Sequence, residues 1–260
     1  DLTWAHSDLN SIEQQMMIPL FADKPIEMGT GTKSNAVLDR FKTDEYEALF
    51  ADAFGDRTIS YDRIVKATAS FVRSLLSFNS PFDDYAYRNV DSALSDSALR
   101  GLDLFFSERL ECFHCHGGFN FTQSSKHEFQ SLDLRPFHNT GLYNTDGKGS
   151  YPDADLGLID HTFDKKDMGR FKAPTLRNIA FTGPYMHDGS IATLDDVISF
   201  YASGGKGEGI NNPFKSQFVR GFQLSERERE DLLAFLNSLS DESFIKNPVY
   251  HAPLELPKSR

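Results

Sequence analysis

Two cysteines and two histidines stand within five consecutive residues near the middle of the chain, Cys112-Phe113-His114-Cys115-His116. Two thiols separated by two residues, with a histidine directly after the second, are typical of covalent attachment of c-type haem. In that chemistry each thiol adds to one vinyl group of the porphyrin, and the histidine ligates the iron. Cys112 and Cys115 are the only cysteines in the chain, so haem attachment would consume both thiols.

A Cys-x-x-Cys pair also occurs in redox dithiols and as half of a zinc site. A redox dithiol usually lies near a βαβ pattern, whereas the residues flanking this motif have helical patterns. A structural zinc site needs four ligands at recognisable spacing, and the remaining histidines show no suitably spaced pair. The sequence therefore favours haem over both alternatives.

The ligand on the other side of the iron decides between electron transfer and catalysis. Spacing alone leaves four candidates open, which are Met168, Met186, His187 and Tyr201. A methionine would raise the potential and suit an electron carrier, whereas a tyrosine oxygen would favour ferric and higher states.

Composition narrows the classes of function. The chain has 260 residues and a net charge of -11, which disfavours nucleic-acid binding because that binding depends on Lys and Arg. No apolar run approaches the roughly 20 residues that a membrane span needs. A signal-peptide pattern does not follow Asp1, so we expect a mature or trimmed chain. Covalent haem attachment implies export, and we expect a periplasmic protein.

Helical signals recur along the chain and strand signals do not. We predict an all-α fold with cytochrome c-like helical domains and long loops around covalently bound haem. The predicted helices run from Thr43 to Gly55, Ser60 to Phe78, Ser95 to Leu110, Thr193 to Gly204 and Ser225 to Leu239. A long functional loop is predicted for residues 117–170, and an extended tail from residue 247. The predicted domains are residues 1–88 and the haem-bearing residues 89–260.

The segment from Phe171 to Gly189, FKAPTLRNIAFTGPYMHDG, resembles the C-terminal domain of bacterial dihaem cytochrome c peroxidases and their MauG-like relatives. Further segments fit the same family, and they are residues 25–29, 79–83, 137–141, 192–197 and 200–201. The resemblance covers nearly the whole chain. It implies a c-type dihaem peroxidase or oxidase that uses hydrogen peroxide to form high-valent haem. The oxidised donor would be a small molecule or a protein. In a partner protein, a tryptophan is one side chain that would be oxidised. Residues 14–28 are similar to the methanobactin-associated MauG homologues, which act on a copper-binding partner.

The resemblance also implies the ligands of this haem. In the family the distal ligand lies fourteen residues after the histidine of a Tyr-Met-His motif. It is methionine in the peroxidases and tyrosine in MauG-like enzymes. Counting from His187, a cofactor-binding candidate, reaches Tyr201. The resemblance therefore implies a His116/Tyr201 haem, with Met186 as the alternative distal ligand.

Other roles follow from the same resemblance. Glu27 and Gln15 (or Gln14) correspond to a carboxylate and an amide in the pocket where peroxide reacts at another haem. A carboxylate beside an amide can move a proton between the two peroxide oxygens. Trp4 corresponds to a tryptophan that relays electrons between the haems. The carbonyls of Thr182 and Pro184 correspond to ligands of a calcium ion, which prefers oxygen.

The chain departs from the family in having one haem motif where the family has two. The first haem segment is expected upstream, on another chain, or lost. The retained Glu27 and Gln15 favour a missing upstream segment. The alternative function is an electron-transfer cytochrome c with one or two haems and no peroxide chemistry.

Overall fold

The structure is a computed structural model that describes residue 9 and residues 11–22, 26–31, 34–125 and 136–251. It divides into two compact units, Asp1–Leu76 and Ser77–Arg260. Their secondary structure is mostly α-helical, which confirms the predicted all-α class. The division lies twelve residues before the predicted boundary at residues 88/89, and the assignment of the two parts to two haem domains stays a prediction.

The first unit contains four described helices, α1 to α4. Their bounds are Ile12–Phe21, Ser34–Phe41, Asp44–Phe54 and Tyr61–Ser74. Helix α1 packs on α4. Arg73 donates two hydrogen bonds to the Glu13 carboxylate, at 2.6 and 2.7 Å. Helix α3 has the predicted bounds, because Thr43 accepts from the Tyr46 backbone N–H and Gly55 adopts a left-handed conformation.

The second unit is built on three helices, α5 (Pro81–Arg88), α6 (Asp96–Phe105) and α10 (Glu226–Asn237). Helices α6 and α10 lie against one another along their lengths. Between them lies a core that we call the helical cluster. It consists of Phe82, Leu94, Ala98, Phe105, Leu110, Phe121, Leu176, Ile198, Leu232, Phe235, Leu236 and Leu239.

A second core, the loop cluster, is assembled chiefly from irregular segments of the same unit and from helix α9 (Leu194–Ala202). Its buried members are Leu142, Tyr151, Ile191 and Phe200. The partly buried side chains packed against them are Tyr143, Leu156, Met168, Phe171, Tyr185, Met186, Val197 and Tyr201. The two short strands of the unit, β1 (Phe137–His138) and β2 (Phe171–Lys172), pair antiparallel, with His138 opposite Phe171.

The remaining helices of this unit are short. They are α7 (Phe113–His116), α8 (Ile159–Thr162) and α11 (Glu242–Ile245). The predicted loop over residues 117–170 contains only β1, α8 and one 3-10 turn in its described part. Among the described helices, none has the length and apolar composition of a membrane span.

Several predicted helix bounds differ from the structure. Helix α4 ends at Ser74 instead of Phe78, and α6 ends at Phe105 instead of Leu110. The Ser74 hydroxyl donates to the Phe71 carbonyl and closes the last turn of α4. Ser80, which follows the predicted end of α4, caps the next helix, α5. Its hydroxyl and the Asp83 carboxylate form a capping box, with Pro81 at the first helical position.

Candidate haem site

Helix α7 presents the two thiols of the Cys-x-x-Cys-His motif. One helical turn separates them, with the Cys115 N–H donating to the Cys112 carbonyl at 3.3 Å. Both cysteines are free and half-buried. Burial raises the pKa of the Cys112 thiol to about 12 and that of Cys115 to about 11. A redox dithiol needs a lowered pKa to supply a thiolate, so this environment does not suit one.

The His116 imidazole is oriented by two backbone carbonyls. Its Nδ1 lies 3.1 Å from the Pro174 oxygen and 3.3 Å from the Phe121 oxygen. Both neighbours can only accept, so Nδ1 carries the ring proton and Nε2 keeps its lone pair. Burial lowers the pKa of His116 to about 4, which keeps the ring neutral. A neutral imidazole whose Nδ1–H is held by a carbonyl is the form in which histidine ligates a metal.

Tyr201 lies on α9 and packs in the loop cluster, together with Met168 and Met186. Burial raises its pKa, and the nearby Cys115 and Cys112 raise it further. The phenol is thus electrostatically coupled to both thiols of the motif. The described part of the chain offers its hydroxyl no hydrogen-bond partner, which leaves the oxygen available. The structure brings all three distal candidates of this cluster together and does not choose among them.

His187 is placed differently. Its ring stacks on Phe171, with centroids 3.8 Å apart, while the residue as a whole is exposed. Burial of part of the ring lowers the pKa of His187. Its cofactor-binding role stays a prediction.

His138 was quoted only as part of a family segment, and the structure gives it a specific feature. Its Nε2 is buried and has no hydrogen-bond partner among the described residues. Its charge also contributes to the lowered pKa of His116, so the two rings interact electrostatically. An unsatisfied buried polar atom costs about 1–3 kcal/mol, and a carboxylate of a bound haem could accept a hydrogen bond from it. The two thiols, the free His116 Nε2, the Tyr201 oxygen and this orphaned nitrogen together fit a haem.

The sequence did not predict the residues that contact His114, in the middle of the Cys-x-x-Cys-His motif. The buried Glu111 carboxylate contacts the Arg220 guanidinium and lies 2.7 Å from the His114 Nε2. His114 also stacks on Phe218, with ring centroids 4.2 Å apart. Glu108, Glu111 and His114 have the donor spacing of a metal site, with ligand atoms within 4.8 Å of one another. Because Arg220 already neutralises Glu111, we interpret this group as a support for α7.

The family described as di-haem cytochrome c peroxidase matches residues 2–91. Over 98% of the chain, the sequence is 31% identical to cytochrome-c peroxidase IdrP1 of Pseudomonas sp. (strain SCT), and it covers 68% of that protein. A crystal structure of a MauG-like protein associated with microbial copper homeostasis superposes with a TM-score of 0.90 at 42% identity. That match covers 98% of this chain and 75% of the other.

The chain belongs to the MauG and dihaem cytochrome c peroxidase family. The family's cofactor is haem c. MauG of Methylophilus methylotrophus is 34% identical over 88% of the chain. The chain spans 61% and 59% of the length of the two MauG proteins it matches.

The other site residues expected from this family lie partly outside the structure. Trp4 falls outside the described residues. Gln15 lies in α1, and Glu27 is exposed in a bend beyond that helix. In the described part of the first unit, no hydrogen bond joins Gln15 to Glu27. The pairing of the two residues at a peroxide pocket stays a prediction.

The expected calcium ligands of the family lie in the second unit. Thr182 and Pro184 are both exposed, at the end of the 3-10 turn Ile179–Phe181. The Thr182 hydroxyl donates to the Ile179 carbonyl at 3.3 Å. Their role as calcium ligands stays a prediction.

Proposed function

We propose that this chain is the part of a MauG-like peroxidase or oxidase that holds the tyrosine-ligated haem. The whole protein would use hydrogen peroxide to oxidise a small donor or a partner protein, with a tryptophan of that partner as one possible site of oxidation. The observation that carries the proposal is the His116 ring, whose Nδ1–H is held by the Pro174 carbonyl 3.1 Å away. The two thiols of the motif precede it in the sequence, and the Tyr201 phenol is near enough to both thiols to interact with them electrostatically.

The residues of this site would have distinct roles in binding the haem. Cys112 and Cys115 would hold the porphyrin through thioether bonds, His116 Nε2 would ligate the iron, and the Tyr201 oxygen would be the second ligand. When bound, the haem supplies one-electron redox chemistry and reactivity toward peroxide. The apolar side chains of the two clusters would exclude water from the bound ring.

Tyrosine is preferred over methionine because an anionic oxygen stabilises oxidised iron, whereas a thioether stabilises reduced iron. Two ligands leave no open position for peroxide. Peroxide would therefore react at the family's other haem, which is expected on a segment outside this sequence or on another chain. Glu27 and Gln15 would move the peroxide proton there, and Trp4 would relay electrons between the haems.

The compartment and the ion follow from the same proposal. Haem c is attached to exported proteins, so we propose a periplasmic location. We also propose a calcium ion at the Thr182 and Pro184 carbonyls, which elemental analysis before and after chelation would detect. The 42% identical relative is associated with microbial copper homeostasis, and this supports a partner protein that handles copper.

The first experiment identifies the distal ligand. We expect the near-infrared spectrum of the haem-loaded protein to lack the methionine-to-iron charge-transfer band. Replacing Tyr201 with Phe should change the ligand field, while Met186→Leu and Met168→Leu should leave it unchanged. A methionine band that disappears only in Met186→Leu would contradict tyrosine ligation.

The second experiment separates the peroxidase from the electron-transfer cytochrome. Hydrogen peroxide is added to the full protein, and the haem spectrum and the oxidised donor are measured. We expect oxidation of the haem and turnover of a donor, both weakened in Glu27→Gln. A haem spectrum that peroxide does not change, in protein with its complete haem content, would leave the electron carrier as the function.

A further inference from the structure

Tyrosines dominate the oxidisable side chains of the loop cluster. Tyr143, Tyr151, Tyr185 and Tyr201 all belong to it, and the only tryptophan of the chain, Trp4, lies outside the described residues. A neutral phenol becomes strongly acidic when it loses an electron, so its oxidation is easy only where a base can accept the proton. The hydrogen-bond partner of each hydroxyl therefore decides which tyrosine can be oxidised.

Three of the four hydroxyls donate to a described residue, and their acceptors differ in chemistry. The Tyr151 hydroxyl donates to the Asn139 amide oxygen at 3.1 Å, and that of Tyr185 donates to the Ile179 carbonyl at 3.0 Å. Neither acceptor is a base. The Tyr143 hydroxyl donates to the Asp188 carboxylate at 2.5 Å. In the loop cluster as described, Tyr143 is thus the tyrosine with a carboxylate base at its hydroxyl.

Titration of this pair agrees with the geometry. The hydrogen bond to Asp188 raises the pKa of Tyr143, so the resting phenol stays neutral. Burial would raise the pKa of the Asp188 carboxyl, but the hydrogen bonds from Tyr143 and Ser190 outweigh it and leave that pKa lowered. At neutral pH the pair is a phenol facing a carboxylate.

The Tyr143–Asp188 pair lies beside another tyrosine of the loop cluster, Tyr151. The Tyr143 ring meets the Tyr151 ring edge to face, with centroids 5.5 Å apart. Tyr151 is only 2% exposed, and it contributes to the raised pKa of Tyr201. Asp188, at the other end, is exposed. The contact between Tyr143 and Tyr151 therefore joins the exposed Asp188 carboxylate to the cluster that also contains Tyr201, the proposed iron ligand.

We propose that Tyr143, with Asp188 as its proton acceptor, is the surface exit through which oxidising equivalents leave this haem toward the donor. This inference rests on the proposed function, because hydrogen peroxide is the oxidant. Tyr143 gives one electron inward to the oxidised haem by tunnelling past the Tyr151 ring, which has no base at its hydroxyl and is not itself oxidised. The Tyr143 O–H proton moves to Asp188. An external phenol, indole or other one-electron donor then returns an electron to the Tyr143 radical, and Asp188 returns the proton. One peroxide, a two-electron oxidant, supports two such cycles.

The test follows the radical instead of turnover. The complete protein, with both of its haems loaded, is treated with peroxide in the presence of a nitroso spin trap, without donor. Electron paramagnetic resonance measures the radical, and peptide mass spectrometry locates the adduct. We expect the adduct on Tyr143, its loss in Tyr143→Phe, and no change in Tyr185→Phe, the matched control whose hydroxyl faces a carbonyl. In Asp188→Asn, which keeps the acceptor shape but not the base, radical formation should slow about a hundred-fold.

A second measurement keeps the relay testable apart from peroxide chemistry. A photogenerated ruthenium(III) complex oxidises the phenols directly, and transient absorption follows the tyrosyl radical. Asp188→Asn should slow the Tyr143-dependent part of this signal, while Tyr185→Phe should not. If peroxide oxidises the haem but the adduct persists in Tyr143→Phe, the relay is wrong and the proposed function stands. If peroxide does not oxidise the haem, the proposed function fails, and an unchanged photochemical rate in Asp188→Asn would overturn the relay as well.

Discussion

The helical cluster and the loop cluster lie in one unit but differ in amino-acid composition. The helical cluster is rich in phenylalanine and leucine, and its rings meet edge to face, as Phe82 and Phe121 do at a centroid distance of 4.9 Å. The loop cluster contains four tyrosines and two methionines, and most of its tyrosine hydroxyls are hydrogen-bonded. Apolar rings that are closely packed in a core have little room to move. The tyrosines of the loop cluster carry hydroxyls, which can ligate a metal, donate a proton and be oxidised.

The backbone differs in the same way. The helical cluster is formed mainly by α5, α6 and α10, whose N-termini are capped by serines. The loop cluster depends on left-handed glycines such as Gly169, where an added Cβ would lie 2.1 Å from the Tyr151 ring. Local helical propensity therefore explains one cluster, whereas the other requires specific turns. In functional terms, the first fixes the Cys-x-x-Cys-His motif and the second supplies the proposed chemistry.

The largest effect should come from Arg177, which joins helix α5 to the loops beside the motif. It donates to both Asp83 carboxylate oxygens, at 3.0 and 2.9 Å, and to the Phe119 carbonyl at 2.7 Å. The Arg177 and Asp83 side chains are almost fully buried. Arg177→Met should lower the free energy of unfolding by about 3–5 kcal/mol, because Asp83 is left as an unpaired buried charge. Urea denaturation measures this value.

Two controls sharpen that experiment. Arg88→Met removes the exposed pair with Asp84 on α5 and should cost no more than about 1 kcal/mol. The double variant Arg177→Met with Asp83→Leu should be more stable than Arg177→Met alone, since no unpaired charge remains. Equal stability of the single and double variants would show that the lost hydrogen bonds to the loops matter more than the charge.

The next effect concerns the contact between α6 and α10. A Cβ on Gly101 would lie 1.9 Å from the Asp231 backbone oxygen and 2.8 Å from the Phe235 Cβ. Alanine ordinarily stabilises a helix interior relative to glycine. Here Gly101→Ala should instead destabilise the protein by about 1–3 kcal/mol, because the helices must move apart. Thermal unfolding measures the change. Asp103→Ala, at an exposed position of α6, should stay within about 0.5 kcal/mol of the parent.

The same contrast explains what could be predicted from sequence. Apolar periodicity and capping residues located α3 and α10 with correct starts, because both signals are local. Helix α1 was missed because its apolar residues do not form one stripe. The haem motif was found from its spacing, whereas the His116 contact to Pro174 joins residues 58 positions apart. Such a contact has no local signal. Residue types made Tyr201 one of four ligand candidates, and only the family resemblance selected it among them and pointed to the Pro174 segment.

The loop cluster should respond more mildly to the loss of a single polar group. Tyr151→Phe removes the hydroxyl that accepts from the Leu142 N–H at 3.3 Å and donates to Asn139. The buried N–H then has no partner, and we expect a loss of about 1–2 kcal/mol in chemical denaturation. Tyr87→Phe, at a 57% exposed tyrosine, is the control and should be nearly neutral. A neutral Tyr151→Phe would mean that water or a rearranged turn satisfies the Leu142 N–H.

The smallest effect is a change in acid sensitivity at the α6–α10 contact. Asp231 is buried and accepts hydrogen bonds from Arg100 and Ser97, which lower its pKa from 3.8 to about 2. The folded protein therefore binds this proton less readily than the unfolded chain does. The stabilisation is complete above about pH 4 and is lost as the pH falls toward 2. In Asp231→Asn this part of the acid limb should flatten, so parent and variant should converge in stability between pH 5 and about pH 2. Denaturation at stepped pH values tests this, with Asp103→Asn on the exposed face of α6 as the control. Parallel curves for the parent and Asp231→Asn would assign the acid response to other carboxylates.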